Sequence, residues 1–319
     1  MDLILPFTSR PLQKQLSIRQ PLLLMGSCFA GEIGKRLQDR CFNALVNPHG
    51  IIYNPLSMSI ALDDYKEEKE YTRKDIFYYN GLWQSFNHHG KFSHADPAKC
   101  LQQINGRIIV AHEQIKKARW LLLTFGSAFF YRHAESGDVV ANCHKINAGE
   151  FQKTLLSTDS IITEWKRQVI QLKELNPELN ILFTVSPVRY VRDGLAENNR
   201  SKGILLDAVH TLVEQHSNCF YFPAYEIVLD ELRDYRFFKE DLVHPNDLAV
   251  NYVWEKFVSG CCDTETKNFL QEYEPLLKSL QHRSIHEETE ATAKFKLQLE
   301  EKIKALEKKY SLPALLRTV

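Results

Sequence analysis

The stretch PLLLMGSCFA, residues 21–30, decides how the chain is to be read. Leu22, Leu23, Leu24 and Met25 leave no polar face, as in a strand covered on both sides. Gly26 then permits a tight turn, and Phe29, Ile33 and Leu37 recur at helical spacing. The segment reads as strand, turn and helix, with Ser27 at the junction. In a parallel sheet such a junction lies at the carboxyl edge, where ligands bind. The Ser27 hydroxyl would enter the crevice beside N–H groups able to face a developing oxyanion. The plain alternative is that Ser27 only caps the helix, a position serine favours. Cys28 competes as a nucleophile, because a thiol near a helix N-terminus ionises more readily. Its place in the first turn points it toward inert packing.

Outward from this stretch, apolar runs recur at residues 120–125 (WLLLTF), 181–185 (ILFTV) and 219–222 (CFYF), with a weaker one at 42–46. Between them lie helical patterns: Leu101, Ile104, Ile108 and Ile115; Trp165, Val169 and Leu172; Leu205, Val209, Leu212 and Val213. Strands alternating with helices imply βαβ crossovers and an open, doubly wound, five-stranded sheet in the order 2-1-3-4-5. Two insertions follow strands and are expected over the sheet's carboxyl edge. Residues 51–94 contain Asn80-Gly81, a type I′ hairpin signal, and residues 128–142 form a second hairpin around Gly137. From residue 284 the chain is rich in Glu, Lys and Ala, with Phe295, Leu299, Ile303 and Leu306 at helical spacing. This divides the chain into a domain at 1–283 and an amphipathic helix at 284–319 that ends near Pro313. The helix packs on the domain or lies in solvent; a dimerising coiled coil is the alternative.

The chain has 319 residues, 44% hydrophobic and 25% charged, enough for a normal core without metal or disulfide support. Lys plus Arg and Asp plus Glu are both 40, so the net charge is +0. That balance argues against nucleic-acid partners and against attraction to anionic lipid. The seven cysteines are odd in number and lack a C-x-x-C pair, which points to reduced thiols and a cytoplasmic protein. No signal peptide is read at the N-terminus, and no apolar stretch is long enough to span a membrane.

A second cluster, Asp241-Leu242-Val243-His244-Pro245-Asn246, follows the last strand. The His244 imidazole could accept a proton from a serine while Asp241 sets its tautomer and stabilises the imidazolium. Pro245 holds His244 extended. Alone, the motif is equally a surface loop with Asn246 or Asp247 capping the next helix. His88, His89 and His94 lack ligand spacing and a nearby carboxylate, so no metal or other cofactor is expected; His89 reads as pocket-lining. His144, in the Asn142–Lys145 segment, is a candidate substrate contact near the sheet edge. Arg189, just past a strand, could hold an anionic substrate group or form an ion pair with Asp193 or Glu226.

Gly26-Ser27-Cys28-Phe29-Ala30 is the string that names the GSCFA family, which resembles the SGNH (GDSL-like) hydrolases. Further blocks resemble the family in the same order: NPHGIIYNP at 47–55, WQSFNHH at 83–89, TFGSA at 124–128, NCHK at 142–145, SPVR at 186–189, YFPAYE at 221–226 and DLVHPN at 241–246. The resemblance implies a three-layer α/β/α, flavodoxin-like SGNH fold and a serine esterase. Its substrate would be a small-molecule or carbohydrate acyl or acetyl ester. It carries the nucleophile to Ser27, the base to His244 and its orienting partner to Asp241. It assigns oxyanion N–H groups to Ser27 and Gly50. The third SGNH block normally reads Gly-x-Asn-Asp, with the asparagine as a further donor; here it reads Gly126-Ser127-Ala128-Phe129. Losing such a donor costs about 2.7–4 kcal/mol of transition-state stabilisation. Ser127, Asn54, Asn142 and His144 are candidate replacements. The family usually has His after Ser-Pro-Val-Arg, where this chain has Tyr190. Acyl transfer at the same site, ligand binding without catalysis and, more weakly, a metal-dependent enzyme using the histidine insertion are the competing readings.

Overall fold

Leu22 and Leu24 face one hydrophobic core, while Leu23 and Met25 face another. The same alternation separates Trp120 and Leu122 from Leu121, Leu123 and Phe125, and Leu182 from Ile181, Phe183 and Val185. Side chains two apart share a face, so these runs form the middle layer of a sandwich with helices on both sides. Full burial of each Leu, Ile or Phe contributes about 1.5–3 kcal/mol, which makes the sheet the most strongly determined part of the molecule.

The computed structural model describes residues 5–7, 11–281 and 290–312. In chain order the elements are β1 (Leu22–Gly26), α1 (Cys28–Asp39), β2 (Ala44–Val46), α2 (Pro55–Lys66), β3 (Phe77–Tyr79), β4 (Leu82–Gln84), α3 (Pro97–Lys117), β5 (Trp120–Phe125), β6 (Phe129–His133), β7 (Val139–Val140), β8 (Phe151–Leu155), α4 (Thr158–Leu175), β9 (Asn180–Val185), α5 (Leu195–Gln215), β10 (Cys219–Tyr221), α6 (Ala224–Glu226), α7 (Asp247–Cys261), α8 (Thr264–Gln281) and α9 (Glu290–Tyr310). The central sheet runs β2-β1-β5-β9-β10 with every pairing parallel. This is the expected 2-1-3-4-5 order. Its direction of travel reverses between β1 and β5, which is where such sheets open a crevice.

Both expected hairpins form. Asn80 and Gly81 both have positive φ (48° and 79°), as a type I′ turn demands between β3 and β4. The second hairpin gains a third strand, because β8 pairs with β6 on the side away from β7. The 51–94 segment does more than decorate the sheet. Its helix α2 buries Met58, Ala61, Leu62 and Tyr65 in the second core. Periodicity hid this helix because serines and acids punctuate its apolar positions.

In α9, Leu299, Ile303, Leu306 and Tyr310 join the first core together with residues of α1, α7 and α8. Phe295, placed on the same stripe by spacing, is 48% exposed. The boundary at 283/284 and the helix end near Pro313 lie outside the described residues. Among the described residues no helix is long and apolar enough to cross a membrane. None of the seven cysteines forms a disulfide.

Candidate active site

Gly26 ends β1 with φ 148°, and a Cβ there would stand 2.4 Å from the Thr124 carbonyl oxygen. Only glycine lets β1 and β5 approach this closely at their carboxyl ends. Asn47 Oδ1 accepts the Gly26 N–H (2.9 Å), and Ile52 N–H donates to the Gly26 carbonyl (3.1 Å). Ser27 occupies the N-cap position of α1 with extended backbone, yet its side chain makes no capping bond. The hydroxyl is buried and has no hydrogen-bond partner among the described residues. Capping therefore does not account for it. A buried orphan hydroxyl costs about 1–3 kcal/mol, and such groups call for a specific explanation. The first intrahelical bond is Gly31 N–H to Ser27 O (3.3 Å), so the N–H groups of Cys28, Phe29 and Ala30 precede the helix ladder. The Ser27 N–H makes a long contact of 3.4 Å to Thr124 O.

Asp241 and His244 sit on the irregular stretch between β10 and α7. Asp241 Oδ1 accepts the N–H groups of Val243 and His244 (2.9 Å each), and Oδ2 lies 2.7 Å from His244 Nδ1. The N–H of His244, that of Val243 and then the imidazole hold this carboxyl down at about 2, against an ordinary 3.8. The carboxylate keeps the ring proton on Nδ1 and leaves Nε2 as the basic nitrogen. Lys239 N–H donates to His244 O (2.7 Å), and Phe238 bridges to Pro245. Asn246 caps α7 through Ala249 N–H, as the bland reading of this motif required. Capping and imidazole orientation thus share one loop. No hydrogen bond joins Ser27 Oγ to His244.

Ser27 and His244 nonetheless line one cavity of about 770 Å³, together with His89, Asn54, Ser127, Asn142, His144 and Arg189. Gly50 does not line it. Its N–H, expected to face the oxyanion, donates to Asn47 O (2.8 Å). Its φ of 86° and bare Cα instead make room for His89, whose Cβ would stand 2.1 Å from a Cβ at residue 50. Asn54 is also committed. It caps α2, its Oδ1 accepting Ser57 N–H (2.8 Å) and its Nδ2 donating to Ser57 Oγ (3.0 Å). Ser127 Oγ accepts Phe129 N–H (3.1 Å) and lies 3.4 Å from Ser201 Oγ. Asn142 Oδ1 accepts His144 N–H (2.9 Å), while its Nδ2 has no partner among the described residues. His144 Nε2 donates to Ser85 O (2.7 Å), and burial lowers its pKa. Burial, then Lys91, lowers that of His89.

The three insertion histidines diverge. His88 is buried and stacks 4.1 Å from His49, His89 lines the cavity, and His94 Nδ1 accepts Asp96 N–H. Arg189 pairs with neither proposed carboxylate: Lys153 holds Asp193, and Tyr221 Oη holds Glu226 (2.9 and 2.8 Å). Cys28 also departs from expectation. It lines the cavity, its Sγ 3.7 Å from Tyr53 Oη.

Two features escaped the sequence reading. Lys202 of α5 is fully buried, and its Nζ donates to Gly126 O (2.6 Å) and Ser186 O (2.7 Å). It ties together the loops that leave β5 and β9. Burial lowers its pKa to about 7. A signal was present, since Lys202 lies three residues before Leu205 on the apolar stripe of α5. Behind Gly50, His49 lies 2.6 Å from Tyr65 Oη and 3.1 Å from Asp64, which also accepts from Tyr71 Oη (2.7 Å). His49 O accepts His89 N–H (2.9 Å), so this network braces one wall of the cavity.

The fold and cavity describe a parallel α/β protein whose serine and aspartate-bound histidine come from opposite ends of the chain. The chain belongs to the GSCFA family, whose model matches residues 21–257. No curated protein matches it. Among solved structures it is similar to an acetyl xylan esterase from the rumen bacterium Butyrivibrio proteoclasticus, at 9% identity and a TM-score of 0.37. The alignment covers 77% of this chain, which spans 64% of that one.

Proposed function

We propose that the protein is a serine ester hydrolase of the SGNH type. Ser27 Oγ attacks the acyl carbon and its proton passes to His244 Nε2, while Asp241 stabilises the imidazolium. The tetrahedral intermediate collapses, and the departing alkoxide takes that proton and leaves as an alcohol. Water, deprotonated by His244, then splits the acyl-Ser27 ester to release the acid and restore the hydroxyl. The first-turn N–H groups of α1 receive the oxyanion, with Asn142 Nδ2 as the side-chain donor in place of the absent asparagine. The single observation that carries this reading is the unpartnered Ser27 hydroxyl in a cavity shared with an imidazole whose Nδ1 is already taken by a carboxylate. Productive contact between them requires the His244 loop to tighten around substrate; such bonds are often long before substrate binds. The half-exposed His244 side chain favours water over another acyl acceptor.

Labelling with a fluorophosphonate tests the proposal. The wild-type protein should label, and Ser27→Ala should lose both the label and about 10⁴-fold or more of its ester turnover. A folded wild-type protein that resists labelling across pH would instead favour ligand binding without catalysis. The occupied Gly50 N–H and the missing third-block asparagine speak for that reading.

A further inference from the structure

From the charge of the cavity wall we infer that the ester is anionic, carrying a carboxylate or phosphate beside the scissile bond. This rests on the ester-hydrolase reading. Lys145, Arg189 and Arg192 line the cavity, and among the described residues no aspartate or glutamate does. The chain as a whole is balanced, with about one residue in eight acidic, so a wall this size made at random would include several acids. The imbalance is local and is not a by-product of a basic protein.

The cations are also unspent. None forms an ion pair among the described residues; Asp193, next to Arg192, is held by Lys153, and Glu226 and Asp241 are held by Tyr221 and His244. Arg189 is half-buried, its guanidinium 5.0 Å from the Phe238 ring and 5.6 Å from the Tyr235 ring. Aromatic faces fix its position without neutralising it. Lys145 and Arg192 are exposed at the cavity's rim. Lys145 follows His144 in a turn where both have positive φ (60° and 49°). Two consecutive non-glycine residues in this region are costly, and the turn is held by His144 Nε2 on Ser85 O and by Asn142 Oδ1 on His144 N–H. The remaining wall includes Phe129, Tyr131, Phe151 and Tyr190, which suits an anion borne on an organic body rather than a free inorganic ion.

Matched esters test the inference. 4-Acetoxybenzoate against 4-acetoxybenzamide places the charge on the leaving group; 4-nitrophenyl hemisuccinate against 4-nitrophenyl butyrate places it on the acyl group. At least one anionic member should exceed its neutral partner in kcat/KM by about tenfold or more. That advantage should shrink as sodium chloride rises, and the ratio should collapse toward one in Arg189→Gln. Lys145→Gln, at the exposed turn, should lower the ratio and guards against a folding defect at Arg189. Equal rates within both pairs in the wild-type enzyme would overturn the inference while leaving the hydrolase reading intact. If no ester is turned over and no phosphonate labels, the hydrolase reading fails, and calorimetry on the wild-type protein decides the charge question. Salt-sensitive binding of 4-hydroxybenzoate or phenyl phosphate, but not of 4-hydroxybenzamide, upholds the anion site and tells carboxylate from phosphate. Binding of none overturns it.

Discussion

Ser27 and His244 meet at one cavity but are built in opposite ways. Ser27 stands at the end of the fully buried β1, beside a glycine whose replacement would strike the neighbouring strand, and is itself 2% exposed. The His244 and Asp241 side chains are 41% and 49% exposed on an irregular loop held by a few short-range hydrogen bonds. The position of Ser27 is fixed by the core of the whole sheet, whereas His244 is positioned by its own loop. Damage at the two places should therefore look different: loss of stability together with activity on the serine side, and loss of activity alone on the histidine side.

The sharpest test of this contrast is Asp241→Asn. The amide still accepts backbone N–H bonds but no longer stabilises the imidazolium. Ester turnover should fall about 10²–10⁴-fold, while the melting temperature moves by less than about 2 °C. A fold that melts much earlier would mean that the loop is part of the cooperative core. Acid in the working range should not remove this carboxylate's contribution to stability. The stability that Asp241 contributes is complete above its ordinary 3.8 and is lost only as pH falls through about 2.

Lys202 lies on the serine side of the contrast. Its folded pKa is depressed to about 7 from 10.5, so the unfolded chain binds the extra proton between those values. Wild-type stability should accordingly rise with pH from about 7 to 10.5, by on the order of a few kcal/mol, with no slope from this group below 7. Urea unfolding at several pH values should show this slope, and Lys202→Met should flatten it. Gly26→Ala should cost about 1–3 kcal/mol of stability and lower turnover as well, because Thr124 and Ser27 must both shift. Calorimetry paired with an ester assay separates it from Asp241→Asn. The smallest effect is expected far from both loops. Phe295→Ala, at an exposed position of α9, should change unfolding free energy by less than about 0.5 kcal/mol, which chemical denaturation can measure.

Much of the architecture was legible before the coordinates. The continuous apolar runs marked all five central strands, and Asn80-Gly81 marked its hairpin, because both signals are local. The helix α2 was not legible, since Ser57, Ser59 and Asp64 are buried there through hydrogen bonds that periodicity does not see. At the site, the cavity does gather Ser27, His244, His89, Asn54, Ser127, Asn142, His144 and Arg189. Their tasks were harder to read. Gly50 spends its N–H in a turn, Asn54 spends its side chain on a cap, and Arg189 escapes both carboxylates proposed for it. Each outcome depends on which partner arrives from a distant segment.

By itself, the sequence determined the layers, the strand order and the serine at the end of the first strand, because burial and backbone preference act over a few neighbouring residues. Tertiary structure alone decided which donors stay unpaired, what the buried lysine holds and which cations lack a carboxylate. Those are properties of groups far apart in the chain, settled by which of them the folded sheet edge brings within hydrogen-bonding distance.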